Sequence, residues 1–110
     1  MKPDLLAAIR TELDRAKSLR ATDRDGAFRH LERAHVLSQR LTFWHARVHL
    51  RMLAHGLRHR DYREVSGQVA RTLAALLFSR LWVPVGNTGG ANVSAFRPMP
   101  LPDDLRALLD

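Results

Sequence analysis

The chain contains no cysteine. Disulfides, thiolate metal sites and a cysteine nucleophile are therefore excluded, and any metal ion must be held by His, Asp, Glu, Met or backbone oxygen. Lysine is nearly as scarce: Lys2 and Lys17 are the only two, so the positive charge is almost entirely arginine. Acidic residues are outnumbered by 11 to 18, which leaves a net charge of +7. A charge of that size bears on solubility and non-specific association with anions, not on fold. Long apolar runs are also missing. The longest, around Val69 to Val85, is broken by Arg71, Ser79, Arg80 and Pro84, so no membrane span is expected. At the start, Met1-Lys2-Pro3-Asp4 leads into an amphipathic segment without the apolar core of a signal peptide. A soluble cytoplasmic protein is the expectation.

What is present is helical periodicity. The 110 residues, 45% of them apolar, suit one small domain. Leu5, Ile9, Leu13 and Ala16 predict a first helix from about Asp4 to Leu19. Thr22 and Asp25 have the spacing of a capping box, ahead of a second helix that runs to about Arg40. Its predicted buried face is Ala27, Leu31, Ala34 and Ser38, flanked by Phe28 and His35. A third helix, with Thr42 as its predicted cap, runs through Phe43-Trp44-His45-Ala46-Arg47-Val48-His49 to His59. At about 100° per residue, Arg47, Arg51 and Arg58 share one side. Ala46, Leu50, Leu53 and Leu57 lie nearly opposite, with His45, His49 and Gly56 beside them. Asp61 and Glu64 cap a fourth helix from about Tyr62 to Arg80, with Val65, Val69, Leu73 and Leu76 as its predicted inner stripe. Its last turns, Leu73 to Phe78, are apolar on most sides and need a cover, either the tail or a second subunit.

From Trp82 the composition changes. Glycine, asparagine and three alternating prolines impose turns and extended backbone, and a short helix from Asp103, its predicted cap, to about Leu109 closes the chain. The apolar tail residues Val85, Val93, Phe96, Met99 and Leu101 are expected to pack. The predicted fold class is all-α: two antiparallel helical hairpins, with an irregular Gly/Pro-rich tail and a short terminal helix. Residues 1–81 form a four-helix repeat-like unit, and residues 82–110 pack onto it within the same domain.

Two resemblances follow from particular residues. Leu50, Gly56-Leu57, Asp61-Tyr62, Glu64-Val65 and Ala70 resemble a degenerate tetratricopeptide unit. The tail from Pro84-Val85-Gly86-Asn87-Thr88-Gly89-Gly90 through Ala91-Asn92-Val93-Ser94-Ala95-Phe96-Arg97-Pro98-Met99-Pro100 resembles a family of small bacterial proteins defined only as a domain of unknown function. His30-Leu31-Glu32-Arg33-Ala34-His35 and the His45/His49 helix carry the same likeness. It spans about Phe28 to Leu105, implies a single-domain bacterial protein, and implies no activity or site residue.

Chemistry is concentrated in histidine. His45 and His49 are one helical turn apart on the inward half of the third helix. His35, on the preceding antiparallel helix, falls at about the level of His49 when residues are counted from the turn near Leu41-Thr42. Three imidazoles can therefore converge as ligands for a transition-metal ion such as zinc, copper, nickel or iron. His30, Glu32, Met52 and His59 are further candidate ligands. The competing account makes the three residues core histidines, tied to backbone, to Ser38, or to tail residues such as Asn87 and Asn92. The loop Gly86–Asn92 has glycines that could cradle an anion, but it lacks a preceding strand and a following Lys, which favours turn formation. The arginines are scattered over separate faces with no aromatic platform, so specific nucleic-acid binding is not expected. No triad, nucleophile elbow or paired inward carboxylates can be read. The leading reading is a non-enzymatic metal-binding helical protein holding an ion at His35, His45 and His49. The alternative is an interaction module or homodimer that uses the apolar end of the fourth helix and the tail. A metal-dependent enzyme is a third reading, with no substrate indicated.

Overall fold

The computed structural model describes residues 2–78, 85–94 and 96–110. The described residues form five α-helices: α1 (Pro3–Leu19), α2 (Arg24–Ser38), α3 (Thr42–Arg58), α4 (Tyr62–Phe78) and α5 (Asp103–Leu109). No strand occurs among the described residues. The predicted extension of the fourth helix to Arg80, and the segment around Trp82, lie outside the described residues. α1 packs on α2 and α3 on α4, α2 joins the two hairpins by packing on α3, and α5 lies across α1 and α2.

The first hairpin holds most of the core. Ile9, Leu13 and Ala16 of α1 meet Leu31, Ala34 and Leu37 of α2, and Val48 and Met52 of α3 close the cluster with Leu105 of α5. Charge reinforces this arrangement. Glu12, 4% exposed, takes His30 Nδ1 at 2.6 Å and Arg33 Nε at 3.1 Å. Arg33 also pairs with Asp104, so one guanidinium ties α1, α2 and α5 together. The α2 cap is Asp23, whose carboxylate accepts from the Gly26 amide at 3.0 Å. The expected Thr22 cap is thus shifted by one residue. Leu41, not Thr42, holds the N-cap of α3, and Pro102, not Asp103, that of α5.

The inner faces of the second hairpin differ from the expected stripes. On α3 the buried residues are His45, Ala46, Val48, His49, Met52 and Gly56, while Leu50 and Leu57 are 52% and 56% exposed. On α4 the buried stripe is Glu64, Gln68 and Thr72, and Val69, Leu73 and Leu76 lie at least half exposed. The physical reason is the neighbour. α4 faces the backbone of the loop around residues 86–94, whose amide and carbonyl groups need partners, so polar side chains point inward there. The tail is only partly packed: Leu101 sits against the core, whereas Val85 and Phe96 are 38% and 75% exposed.

The hairpin turn of α3 and α4 uses only His59, Arg60 and Asp61. The Asp61 amide donates to Gly56 O at 2.8 Å and the Arg60 amide to Leu57 O at 3.3 Å, the two bonds of a Schellman closure. Asp61 then turns its carboxylate to the Glu64 amide at 3.2 Å and starts α4. Gly56 permits this close return, because a Cβ there would lie 3.3 Å from Asp61 O and 3.1 Å from the Val65 side chain. The left-handed position falls on Arg60, at φ 57°. A Cβ in that region costs about 1 kcal/mol. Arg60→Gly is therefore expected to raise the midpoint of thermal unfolding by a few degrees, read by circular dichroism.

Candidate metal centre

His35 lies near the end of α2, and His45 and His49 lie in the first half of α3. All three are buried, at 3%, 7% and 3% exposure. Their Nε2 atoms face one another: His45 to His35 at 2.9 Å, His35 to His49 at 3.1 Å, and His49 to His45 at 3.1 Å. Among the described residues this is the one group of three His, Asp or Glu side chains close enough to hold a metal ion. The inward pair at i, i+4 and the antiparallel level of His35 agree with the sequence expectation.

The outer ring nitrogens fix the chemistry of the inner ones. His35 Nδ1 lies 2.7 Å from the carbonyl oxygen of Asn87, an acceptor only, so this nitrogen carries the proton. His49 Nδ1 lies 2.5 Å from Oε1 of Gln68. The Gln68 amide nitrogen points at Glu64 Oε2, 2.5 Å away, and at Gly89 O, 2.8 Å away. Both of those are acceptors, so the amide cannot be turned round and His49 Nδ1 is also the donor. In the neutral rings Nε2 of His35 and of His49 are then bare lone pairs. Only His45, whose buried Nδ1 has no hydrogen-bond partner among the described residues, is not held to one tautomer by an outer bond. One proton at most can serve three facing nitrogens.

Further protonation is disfavoured. Burial, reinforced by His49 and His45, pushes the His35 imidazole well below its ordinary range. Burial and the nearby His49 lower His45 to about 3. Burial lowers His49 to about 4, against the opposing effect of its hydrogen bond to Gln68. At neutral pH the cluster presents three uncharged imidazoles, the state in which imidazole ligates metals.

The loop from Gly86 to Arg97 roofs the cluster. Asn87 donates from its side-chain amide to Ser94 O and Arg97 O, both at 2.7 Å, and accepts from the Gly89 amide at 2.9 Å. Gly86 donates to Gln39 Oε1 at 2.9 Å, and Ala91 to both Glu64 carboxylate oxygens at 3.1 Å. Arg71 binds the carbonyls of Gly89, Gly90 and Val93. The amides of Gly86, Gly89 and Ala91 are thus committed to protein acceptors. Gly89 has φ +86°, and a Cβ there would lie 2.5 Å from the His35 ring, so glycine is required twice over.

The four extra candidate ligands do not join the cluster. His30 is spent on Glu12. The His59 ring sits against that of His55, 4.5 Å between centroids. Met52 belongs to the apolar core. Glu32 lines a cleft of about 350 Å³ with Glu64 and His55, and burial raises its carboxyl pKa. Sequence reasoning missed Gln68 and the carbonyl of Asn87 as the groups that orient the rings. The signal for Gln68 was the i, i+4, i+8 spacing of Glu64, Gln68 and Thr72, which puts three polar side chains on one line of the helix.

The fold and this centre define a small all-helical protein with a buried three-histidine cluster. The chain belongs to the family described as protein of unknown function (DUF3703), whose model matches residues 3–109. No curated protein and no solved structure matches it.

Two outcomes follow from these bonds. Gln68→Leu strands the His49 Nδ1–H in the interior and is expected to cost about 1–3 kcal/mol in a denaturant titration. The second concerns pH. The three histidines titrate lower in the folded than in the unfolded chain, where histidine has a pKa of about 6.5. Unfolding therefore takes up protons below that pH. The stability these rings contribute is complete above about pH 6.5 and is lost as pH falls towards about 4. Thermal midpoints of chelator-treated protein should drop across that window, and the drop should be shallower in His45→Gln.

Proposed function

We propose that the protein is a binder of a divalent transition-metal ion held by Nε2 of His35, His45 and His49. The observation that carries this reading is the meeting of three ring nitrogens, two of them forced by outer hydrogen bonds to present lone pairs inward. Lone pairs about 3 Å apart repel unless a cation or proton lies between them, and burial disfavours the proton. Hydrogen bonds from the non-ligating nitrogen to a carbonyl or amide oxygen are the usual outer support of metal-bound imidazole. Asn87 and Gln68 supply that support for two of the three rings.

Separations of 2.9–3.1 Å also fit the size of a first-row ion. Metal–nitrogen bonds of about 2.1 Å put neighbouring ligands about 3.0 Å apart at right angles and about 3.4 Å apart in a tetrahedron. The cluster is close to the first arrangement and a small outward turn of the rings from the second. Zinc, nickel, copper and iron all accept such donors, and a chain without cysteine has no thiolate to compete with them. The ligands are neutral, so the ion keeps its charge, and the Glu64 carboxylate, two hydrogen bonds away through Gln68, offsets it.

Elemental analysis of protein purified without a metal-affinity step is expected to find close to one transition-metal ion per chain. His45→Ala and His49→Ala should abolish it while circular dichroism stays helical. Zinc or nickel added to chelator-treated wild type should raise the thermal midpoint, and should not do so in either variant. Absence of stoichiometric metal, together with no thermal response to any of the four ions, overturns the reading.

A further inference from the structure

The second hairpin turns a broad apolar face away from the core. Leu50 and Leu57 of α3, and Tyr62, Val69, Leu73 and Leu76 of α4, are all between 50% and 67% exposed. Their spacing is regular: Leu50 to Leu57 and Tyr62 to Val69 to Leu76 step by seven, with Leu73 between, which places each set on one side of its helix. The two sets lie on the same surface. His49 contacts Gln68 and Gly56 contacts Val65, which fixes the antiparallel register of α3 and α4. On each helix the exposed apolar residues follow round from these contacts, away from α2 and the loop. Contiguous apolar surface of this extent on a soluble chain marks an interface.

We propose that this face is the contact between two copies of the chain, packed as a symmetric dimer in which the two α3–α4 hairpins form a four-helix layer. Area supports the choice of occupant. Each of the six residues exposes on the order of 100 Å², so together they supply about 600 Å², the apolar centre of an interface whose standard size is roughly 800 Å² per partner. Helical spacing supports it as well, because seven-residue apolar steps on two antiparallel helices offer the ridges and grooves that a second identical hairpin fills. The flanking charges set the salt response. Arg47, Arg51 and Arg58 border the α3 stripe, and α3 contains no carboxylate, so the rims of two copies repel. Salt screens that repulsion and strengthens apolar contact. An acidic amphipathic partner on the same face would show the opposite salt dependence.

Sedimentation equilibrium of the full chain from about 5 to 500 µM is the test. The wild type is expected to be a dimer at the upper end, with the dimer fraction rising between 50 and 500 mM sodium chloride. Leu73→Asp and, separately, Val69→Asp should shift the dissociation constant at least 50-fold towards monomer. Both positions are exposed, so helical content should be unchanged, and the second variant serves if the first misfolds. A wild type that stays monomeric at 500 µM overturns the proposal. So does a dimer indifferent to both substitutions, or one that dissociates as salt is added. Metal content plays no part in these readouts: a monomer that binds metal, or a dimer that does not, separates this proposal from the function proposed above.

Discussion

Two outward hydrogen bonds, from His35 to the Asn87 carbonyl and from His49 to the Gln68 amide oxygen, govern what the interior can do. Each spends the one N–H that a neutral imidazole owns, and so each leaves a lone pair facing the middle of the cluster. Much of the second half of the chain exists in a form that protects these bonds. Glu64 and Gly89 hold the Gln68 amide in one orientation. Asn87 is held by Ser94, Arg97 and Gly89, and Arg71 fastens the loop carbonyls beside it. The polar inner face of α4 is therefore the outer support of the ring cluster, carried on a helix.

This arrangement also explains why hydrophobic pattern misplaced the α4 stripe. Periodicity identifies an apolar side, and the usual inference is that the apolar side is buried. In α1 and α2 the inference holds, because those helices pack on other helices: Ile9, Leu13, Leu31 and Ala34 are all buried. α4 packs on α3 and, with its Glu64–Gln68–Arg71 side, also on a loop, and a loop demands hydrogen-bond partners more than oil. Nothing local in Val69 or Leu73 distinguishes the two cases. The polar residues do, since Glu64, Gln68 and Thr72 fall on one line.

The element order, the helix spans to within a few residues and the convergence of His35, His45 and His49 were legible from spacing alone. The turns were legible where one side chain decides them, as Asp61 does. They were less so where two neighbours compete, as Thr22 and Asp23 do for the α2 cap. The left-handed residue at Arg60 could not be read, because arginine gives no sign of the conformation that a three-residue connection forces on it. The bonding partners of the rings were only half legible. Asn87 was among the candidates through its side chain, yet its carbonyl makes the contact, and main-chain groups carry no sequence signature.

The order in which the parts of the centre occur along the chain has a consequence for biosynthesis. His35, His45 and His49 belong to the middle helices, while the groups that roof and orient them, from Gln68 to Asn87 and Gly89, follow only after the α3 turn. During translation the imidazoles emerge first, before the groups that orient them and with both tautomers open. The inward lone pairs of His35 and His49 are fixed only when Gln68 and the glycine-rich segment have folded back over the rings, so the tautomers of the cluster are settled late in synthesis.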